Sequence, residues 1–576
     1  MRRGTAEARI SELEAAVASL AAERDAAVQS RDVLAAELAS AHERMLAAER
    51  ERDRLVQAHE RLRVELERLK RRLTVAKAER VDTTQLELEF AEKLRELEEV
   101  AGTLGMKESS DDPEQPQKKR KKKPSGRRDL ADLNLPEERV EITDPEMERL
   151  VAEGKATRHG VEESRRLMHQ KAGLRCVVIE RVKYRLFDEG AGRTTVVTAE
   201  QPPDLLERSI FTPSLAANVI HEKVDKSLTL YRIEEDFRRR GVSLDRATMS
   251  RRLEDLGATF GATVLHEARL EAMSRAFCIA TDATGFKIQP GRHGTSERRP
   301  CKRGHFLVLI ADRDHVFFEY MERETSEAIA KIFEGFTGHI QADAKGTYDI
   351  LFRAGPPPSP DEPPREAARE VGCWSHMRRY FWEATAISKS EIAREGLARI
   401  GRVFELERLW AHHDPVKRKR LREAHLRAHV ESFFEWNNHQ AALIEEPGYV
   451  RRALQYTQRH EAAFKRFLDN GRLVLDNNRS ERALRKIAVG RKNWLFAGSD
   501  LHASSLGHLL SLNASARLHG LDPEAYFRDL IRVLPFWPRG RYLELCPRDW
   551  PATRAKLDPQ QLAAEVGWLD VPDVSR

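Results

Sequence analysis

Across 576 residues, 99 basic side chains nearly balance 93 acidic ones, so the net charge is +6 and any electrostatic message lies in clusters rather than in the total. The length suits several domains, roughly four by a simple length rule. Five scattered cysteines without a CxxC pair argue against a disulfide scaffold and fit a reducing cytoplasm, and with no apolar leader and no apolar run of about 18 residues neither secretion nor a membrane span is expected.

Residues 1–104 are expected to form a coiled coil. From Ile10 to Ala76 a heptad places Leu13, Leu20, Ala27, Leu34, Ala41, Ala48, Leu55, Leu62, Leu69 and Ala76 at its d positions. Arg24, Arg31, Arg52 and His59 interrupt the a positions, as polar residues do where they fix register and low oligomer number. A homo-oligomer is the expected partnership, and a helix folded back on its own body is the alternative. Residues 105–129 read as a disordered linker, because Lys118 to Arg128 holds eight basic side chains among eleven and can build no core. Lys118, Lys119 and Arg120 there could neutralise DNA phosphates irrespective of sequence.

Residues 130–207 read as a small β-rich module with strands in CVVIERVKYRLF (Cys176 to Phe187) and TTVVTA (Thr194 to Ala199). Over 208–262 the chain turns helical, and Arg232 to Leu256 has the form helix, Gly-centred turn, helix, predicting a helix-turn-helix. Ser243 or Asp245 would cap its second helix, with Arg246, Thr248, Arg251 and Arg252 near the groove of double-stranded DNA. A short helix pair with a glycine turn is equally at home in an ordinary core.

Residues 263–535 carry the chemistry. From Phe277 the pattern is β-β-β-α-β, with Asp282 closing the apolar first strand and Asp343 closing the fourth. Carboxylates at the ends of buried strands need positive charge, because an unpaired buried ion is costly. In VGCWSHMRRYFWEA, Cys373 and His376 sit at a strand-to-helix junction. Zinc would need two more ligands, so zinc is not expected there and packing with Trp374 is favoured. A helical insertion is predicted over about 383–471. Then LDNNRSERALRKIAVGRKNWLFAGSD (Leu475 to Asp500) predicts a helix capped by Asp476 or Asn477, with Asn478, Glu481 and Arg485 on one face. Beyond it Arg491, Lys492, Trp494 and Phe496 offer charge and stacking to DNA, although both aromatics are also fit for a core.

Asp282, Asp343 and Glu481 form an all-oxygen set that suits Mg²⁺ or Mn²⁺, and two such ions can flank a phosphorus under attack. A glycosidase would need one of the carboxyls as a proton donor, and the basic surroundings favour a polyanion over a sugar. With residues 536–576 read as a C-terminal tail, the expected fold is multidomain α+β.

The order of LKRRLTVAKAERVD, ATDATG, QADAKGTYD, GCWSHMRRYF and LDNNRSERALRKIAVGRKNWLFAGSD resembles the insertion sequence sixty-six family of bacterial DDE transposases, over most of the chain. The resemblance implies an RNase H-like catalytic fold interrupted by an all-helical insertion. It implies a metal-binding triad of Asp282, Asp343 and Glu481, binding of inverted terminal repeats, and hydrolysis and strand transfer at the element ends. DNA of element and target, and small accessory proteins encoded by the element, are the implied partners. The implied location is the bacterial cytoplasm, at the nucleoid. Cys373 and His376 match the family's Cys-x-x-His motif, for which a site-supporting role is expected, shared with Asn478 and Arg485. The chain departs from the family pattern at Ala283, where Glu is usual, and at Phe286, where Trp is usual. Of the paired cysteines of the family's zinc module only Cys176 remains, so that module is degenerate. A non-catalytic DNA-binding, oligomerising protein on the same scaffold is the alternative, and a structure-specific nuclease is a third reading.

Overall fold

The computed structural model describes residue 130 and residues 135–170, 173–188, 193–206, 209–289, 300–354 and 366–573, with isolated helical positions at 17–19, 29, 40 and 95. The expected coiled coil, apart from those positions, and the basic linker with Lys118, Lys119 and Arg120 lie outside the described residues. All elements below belong to one compact unit that includes Lys121–Arg576.

The first sheet comprises β1 (Glu137–Ile142), β2 (Ala156–Gln170), β3 (Gly173–Asp188) and β4 (Arg193–Thr198), with α1 (Pro145–Ala152) between β1 and β2. β3, the apolar CVVIERVKYRLF segment, is central. β2 runs antiparallel along one edge, while β1 (parallel, Glu137 beside Cys176) and β4 (antiparallel, Lys183 beside Thr198) share the other. α1 starts where Asp144 accepts the N–H groups of Glu146 and Met147 and Pro145 supplies a preset φ. Cys176 is buried and unpaired.

α2 (Pro213–Ile220) is wholly buried and continues as a π-turn, His221–Asp225. α3 (Leu230–Arg239) and α4 (Arg246–Ala262) follow, joined through Gly241 at φ +79°, and α5 (Val264–Arg275) closes the segment. Asp245, one of the two caps the sequence offers, accepts the Ala247 N–H at 2.9 Å.

The second sheet consists of β5 (Cys278–Ile288), β6 (Lys302–Ala311), β7 (His315–Met321), β8 (His339–Ala342) and β9 (Arg369–Gly372), with α6 (Ser326–Ile332) before β8. Its order is β7-β6-β5-β8-β9: the first three strands pair antiparallel, and β8 and β9 add parallel to β5. Phe306, Leu307, Val308 and Leu309 on β6 are fully buried, so helices cover both faces.

A helical stretch then leaves the sheet: α7 (Trp374–Ser388), α8 (Glu391–Trp410), α9 (Pro415–Leu421), α10 (Arg427–Leu443), α11 (Tyr449–Arg459) and α12 (Glu461–Lys465). It has its own core around Trp374, whose indole N–H donates to Phe464 O at 3.0 Å amid Phe433, Phe434 and Phe467. Fully buried Arg422 pairs with Glu407 and donates to the carbonyls of Phe467, Asn470 and Leu473, which fixes where the chain returns.

After that return, α13 (Asn478–Trp494) packs on β5 and β6, and α14 (Asp500–Leu518) packs on β7 and α4. β7 ends the sheet, yet α14 completes it: Ser515 and Ser511 hydroxyls accept the N–H groups of Val316 (3.0 Å) and Phe318 (2.8 Å). α15 (Pro523–Val533), α16 (Trp550–Arg554) and α17 (Pro559–Ala563) end the fold. Residues 536–573 do not hang free as a tail. Trp537, Tyr542, Leu545, Cys546, Trp550 and Leu562 join the main core, and Glu565 accepts the Ser214 N–H at the start of α2.

Candidate active site

β5 and β8 pair in parallel as far as Ala280 beside Gln341. Asp282 and Asp343 are each the second residue beyond that pair, so the register sets them side by side where the parallel ladder stops. Crevices of this kind, at the carboxyl ends of parallel strands, are where open α/β sheets bind ligands. Asp282 does not close its strand as expected. β5 continues to Ile288, with Asp282 paired opposite Val308 on β6, and the antiparallel ladder carries it past the point where β8 leaves. Asp343 directly follows β8.

Burial, and then the neighbouring Asp343, push the Asp282 carboxyl above its ordinary value, while Lys345 and His376 pull the other way. Asp343 Oδ1 is buried without a hydrogen-bond partner, and its other oxygen lies 3.4 Å from Lys345 Nζ. Lys345 also reaches Glu324 (3.6 Å), which is 3.2 Å from His305. Burial alone would lower Lys345; Asp343, Glu324 and Asp282 together hold it above its ordinary value. The locality is thus carboxylate-rich and partly compensated by one lysine and two histidines.

Glu481 arrives on the first turn of α13, and the backbone before that helix is stitched to three elements. Buried Asn477 donates from Nδ2 to Thr281 O on β5 (2.7 Å), its N–H donates to Cys373 Sγ (3.2 Å), and its Oδ1 accepts from Ser480 (2.7 Å). Gln341 on β8 donates to Val474 O at 2.7 Å, and the Trp374 N–H donates to Leu475 O at 3.1 Å. Asn477 occupies the cap position but spends its side chain on this stitching. The capping falls to Asp476, which accepts the Asn478 N–H at 3.1 Å and the Asn478 side-chain amide at 2.8 Å.

Both residues of the Cys-x-x-His pair therefore attach to the helix that carries Glu481. Cys373 holds its start, with a thiol that burial pushes up to about 11, and His376 Nε2 is 3.7 Å from Glu481 Oε1. His376 also acts electrostatically on Asp282, so it links the third carboxylate to the first two. Among the described residues no three His, Cys, Asp or Glu side chains converge closely enough to hold a metal ion as they stand. The hard oxygens of Asp282 and Asp343, one of them buried and unpartnered, nonetheless suit a divalent cation. Glu481 is half-exposed beside His376.

Ala283 lies on the opposite face of β5 and packs against the main core, so the departure from Glu at that position leaves the carboxylate face untouched. Phe286 is buried against Phe306 with ring centroids 5.4 Å apart.

The expected DNA contacts divide into free and committed side chains. Arg246, Arg251, Arg485 and Lys492 are exposed, while Thr248 and Arg252 are half-buried, with Arg252 3.4 Å from Asp255. Arg491 bridges from α13 to β5, donating to Thr284 Oγ1 and Gly285 O at 3.1 Å each. Trp494, expected to stack on DNA, is in the core: its indole N–H donates to Leu228 O at 2.9 Å and Lys223 lies over its ring at 4.4 Å. Phe496 is the exposed aromatic of that segment. Lys345, Glu324 and His305 were not singled out by the sequence. Lys345 stands inside the QADAKGTYD block and could have been, whereas Glu324 follows β7 with no local signal.

A sequence signature described as Transposase IS66 family matches residues 208–505. Similar proteins from Sinorhizobium fredii (strain NBRC 101917 / NGR234) include uncharacterized protein y4qI, 27% identical over 420 residues that cover 71% of this chain and 75% of that protein. Uncharacterized protein y4hP is 26% identical over 382 residues, 62% of this chain and 65% of its own length. For uncharacterized protein y4jD the identity is 25% over 371 residues, with 62% and 70% covered.

Proposed function

Because the chain belongs to the IS66 family of transposases, we propose that it binds the inverted terminal repeats of an insertion sequence and cuts and joins DNA strands there, with Asp282, Asp343 and Glu481 as ligands of Mg²⁺ or Mn²⁺. The observation that carries this reading is the register that sets Asp282 beside Asp343 at the mouth of the parallel strands, with α13 delivering Glu481 to His376 alongside. The order β7-β6-β5-β8-β9, antiparallel for three strands and then parallel for two, supports an RNase H-like domain for 263–535.

Divalent cations held there would neutralise a phosphodiester and activate the oxygen that attacks it. The chain's own residues prepare the place. Asp282 and Asp343 supply hard oxygens at fixed strand positions, so their spacing comes from the sheet and not from flexible side chains. Lys345 balances the two aspartates while they lack another cation, and His376 orients Glu481. Arg482 and Arg485, exposed on α13 beside Glu481, and Lys492 near its end give a DNA backbone a positive approach. α3 and α4 form the helix-turn-helix of this reading, with Arg246 and Arg251 exposed at the start of the second helix.

The test is cleavage and strand transfer on DNA carrying the element's own ends, with Mg²⁺ or Mn²⁺. The intact protein should give cut and joined products, and Glu481→Gln should lower both by roughly a thousandfold or more while still binding DNA. Binding without cleavage in both proteins would replace this reading with a DNA-binding, oligomerising protein that lacks catalysis. Cutting without joining would point to a nuclease.

A further inference from the structure

Beside the carboxylates lies a cavity of about 510 Å³, within the range that holds small ligands. Its floor includes Ala344, the residue between Asp343 and Lys345, and the Tyr456 hydroxyl reaches the Ala344 backbone. The helical insertion builds its wall: α11 brings Arg451, Arg452 and Arg459 to the cavity, and Arg452 and Arg459, seven residues apart, lie nearly in line along the helix. Arg452 lies over the Tyr380 ring at 4.8 Å, and the rings of Tyr380 and Tyr456 are 4.4 Å apart. Of the four basic lining residues, His460 has a carboxylate partner, Glu370 at 3.6 Å, while Arg451, Arg452 and Arg459 have none among the described residues. Free guanidinium groups at a cavity wall call for an anion. A guanidinium over one phenol ring, with a second ring tilted 42° beside it, offers aromatic surface to a flat partner. A nucleotide carries both, and an open cavity of about 510 Å³ has the size for one extruded unit.

We propose that this cavity receives one unpaired nucleotide of the DNA strand adjoining the carboxylate site, its phosphate on the arginines of α11 and its base against the aromatic cluster of Tyr380 and Tyr456. The proposal rests on the strand-transfer reading above and deepens it. The insertion then acts as a clamp that holds a strand unpaired beside the point of cutting, with no sequence preference, since every base has a flat face.

The test uses the full chain in EDTA, so that binding is read without cleavage. Two labelled duplexes are compared by fluorescence anisotropy, one blunt and one extended by a short unpaired overhang carrying 2-aminopurine. The intact protein should prefer the overhang by roughly tenfold, as one stacked base with its phosphate contributes, and should quench 2-aminopurine at one position. Arg452→Ala combined with Arg459→Ala, both on exposed positions of α11, should abolish the preference and the quenching while blunt-duplex affinity and thermal unfolding stay close to those of the intact protein. Equal affinity for the two DNAs, or no quenching in the intact protein, overturns the proposal without the need for any variant. So does a variant that loses blunt and overhang binding alike. Failure to bind either DNA would instead remove the transposase reading on which the proposal stands.

Discussion

Asn477 decides where Glu481 can be, because its side chain joins the start of α13 directly to the backbone of β5. It is fully buried, so Asn477→Ala leaves Thr281 O and Ser480 Oγ without partners at a cost of roughly 1–3 kcal/mol. Urea unfolding should show that loss as a lower midpoint with an unchanged slope. Strand cleavage should fall further than stability alone explains, since Glu481 loses its anchor; an unaffected cleavage rate would mean that packing, not this bond, positions the helix. Asp225 is a second joint of the same kind, tying the segment before α3 to α13 and α14 through Lys486 (3.3 Å), Asn513 (3.3 Å) and Arg517 (2.5 Å). Burial alone would raise its carboxyl. The Arg517 hydrogen bond, the Lys486 charge and Asn513 outweigh that and hold it at about 2, down from 3.8. A depressed carboxyl stabilises the fold fully above its unfolded value and loses that contribution as pH falls through the folded one. About 2 kcal/mol should therefore disappear between pH 3.8 and about 2, and thermal unfolding of Asp225→Asn should be flatter over that window. The three candidate carboxylates stand out in the sequence because each lies in a distinctive block, although Asp282 falls within β5 and not at its end. For Cys373 a site-supporting role was expected, but its bond to Asn477, 104 residues on, and the bond of Asn477 to Thr281, 196 residues back, depend on distant segments meeting and leave no local pattern.

The helix pair α3 and α4 shows why a helix-turn-helix pattern alone says little about which surface is free. From Ser250 onward α4 is clamped to α14. His508 Nδ1 meets Gly257 O at 2.9 Å, Ser505 Oγ donates to Glu254 O at 2.9 Å, and Ser250 Oγ meets His502 Nε2 at 2.9 Å. Gly257 permits that approach, because a Cβ there would sit 2.4 Å from Ser505 O, a backbone atom that cannot step aside. Gly257→Val should therefore lower stability by roughly 1–3 kcal/mol, read as a fall in thermal midpoint, and should weaken DNA binding only through that loss. Arg246 and Arg251 are exposed on the outer face of α4, Arg246 within 4.0 Å of Glu234. Arg251→Ala should leave the midpoint in place, weaken DNA binding, and reduce the dependence of log affinity on log salt by about 1 if it meets a phosphate. At this scale the periodicity located α4, β5 to β8 and the helical insertion correctly. It passed over β1 and β2, because EERVEI and the exposed length of β2 present charged residues on both faces and so carry no alternation to read.

For the whole molecule the telling segment is the last one. A sequence rich in Pro and Arg after Pro535 reads as a tail, yet it buries Trp537, Trp550, Leu545 and Cys546 in the same core that holds β5 and β6. Arg532 reaches back to it through the carbonyls of Ala564 (2.9 Å) and Gly567 (2.9 Å), Tyr526 donates to Leu545 O at 2.8 Å, and Val566 joins the core of the first sheet. This last segment thus touches both the core of the first sheet and the main core. Such a contact is invisible to a local pattern, since short helices starting at prolines bury single large side chains without any period. Removing residues 536–576 strips Trp537 and Trp550 from the interior, where each such loss is worth roughly 3–5 kcal/mol, against a total stability of about 5–15 kcal/mol for an ordinary domain. The truncated chain should fail to unfold cooperatively in calorimetry and should bind the dye that marks exposed apolar surface. Its loss of cleavage would then reflect the fold and not the site. A truncated protein that still melts as sharply as the full chain would show that the carboxylate sheet stands without its terminal buttress, and would return these residues to the status of a tail.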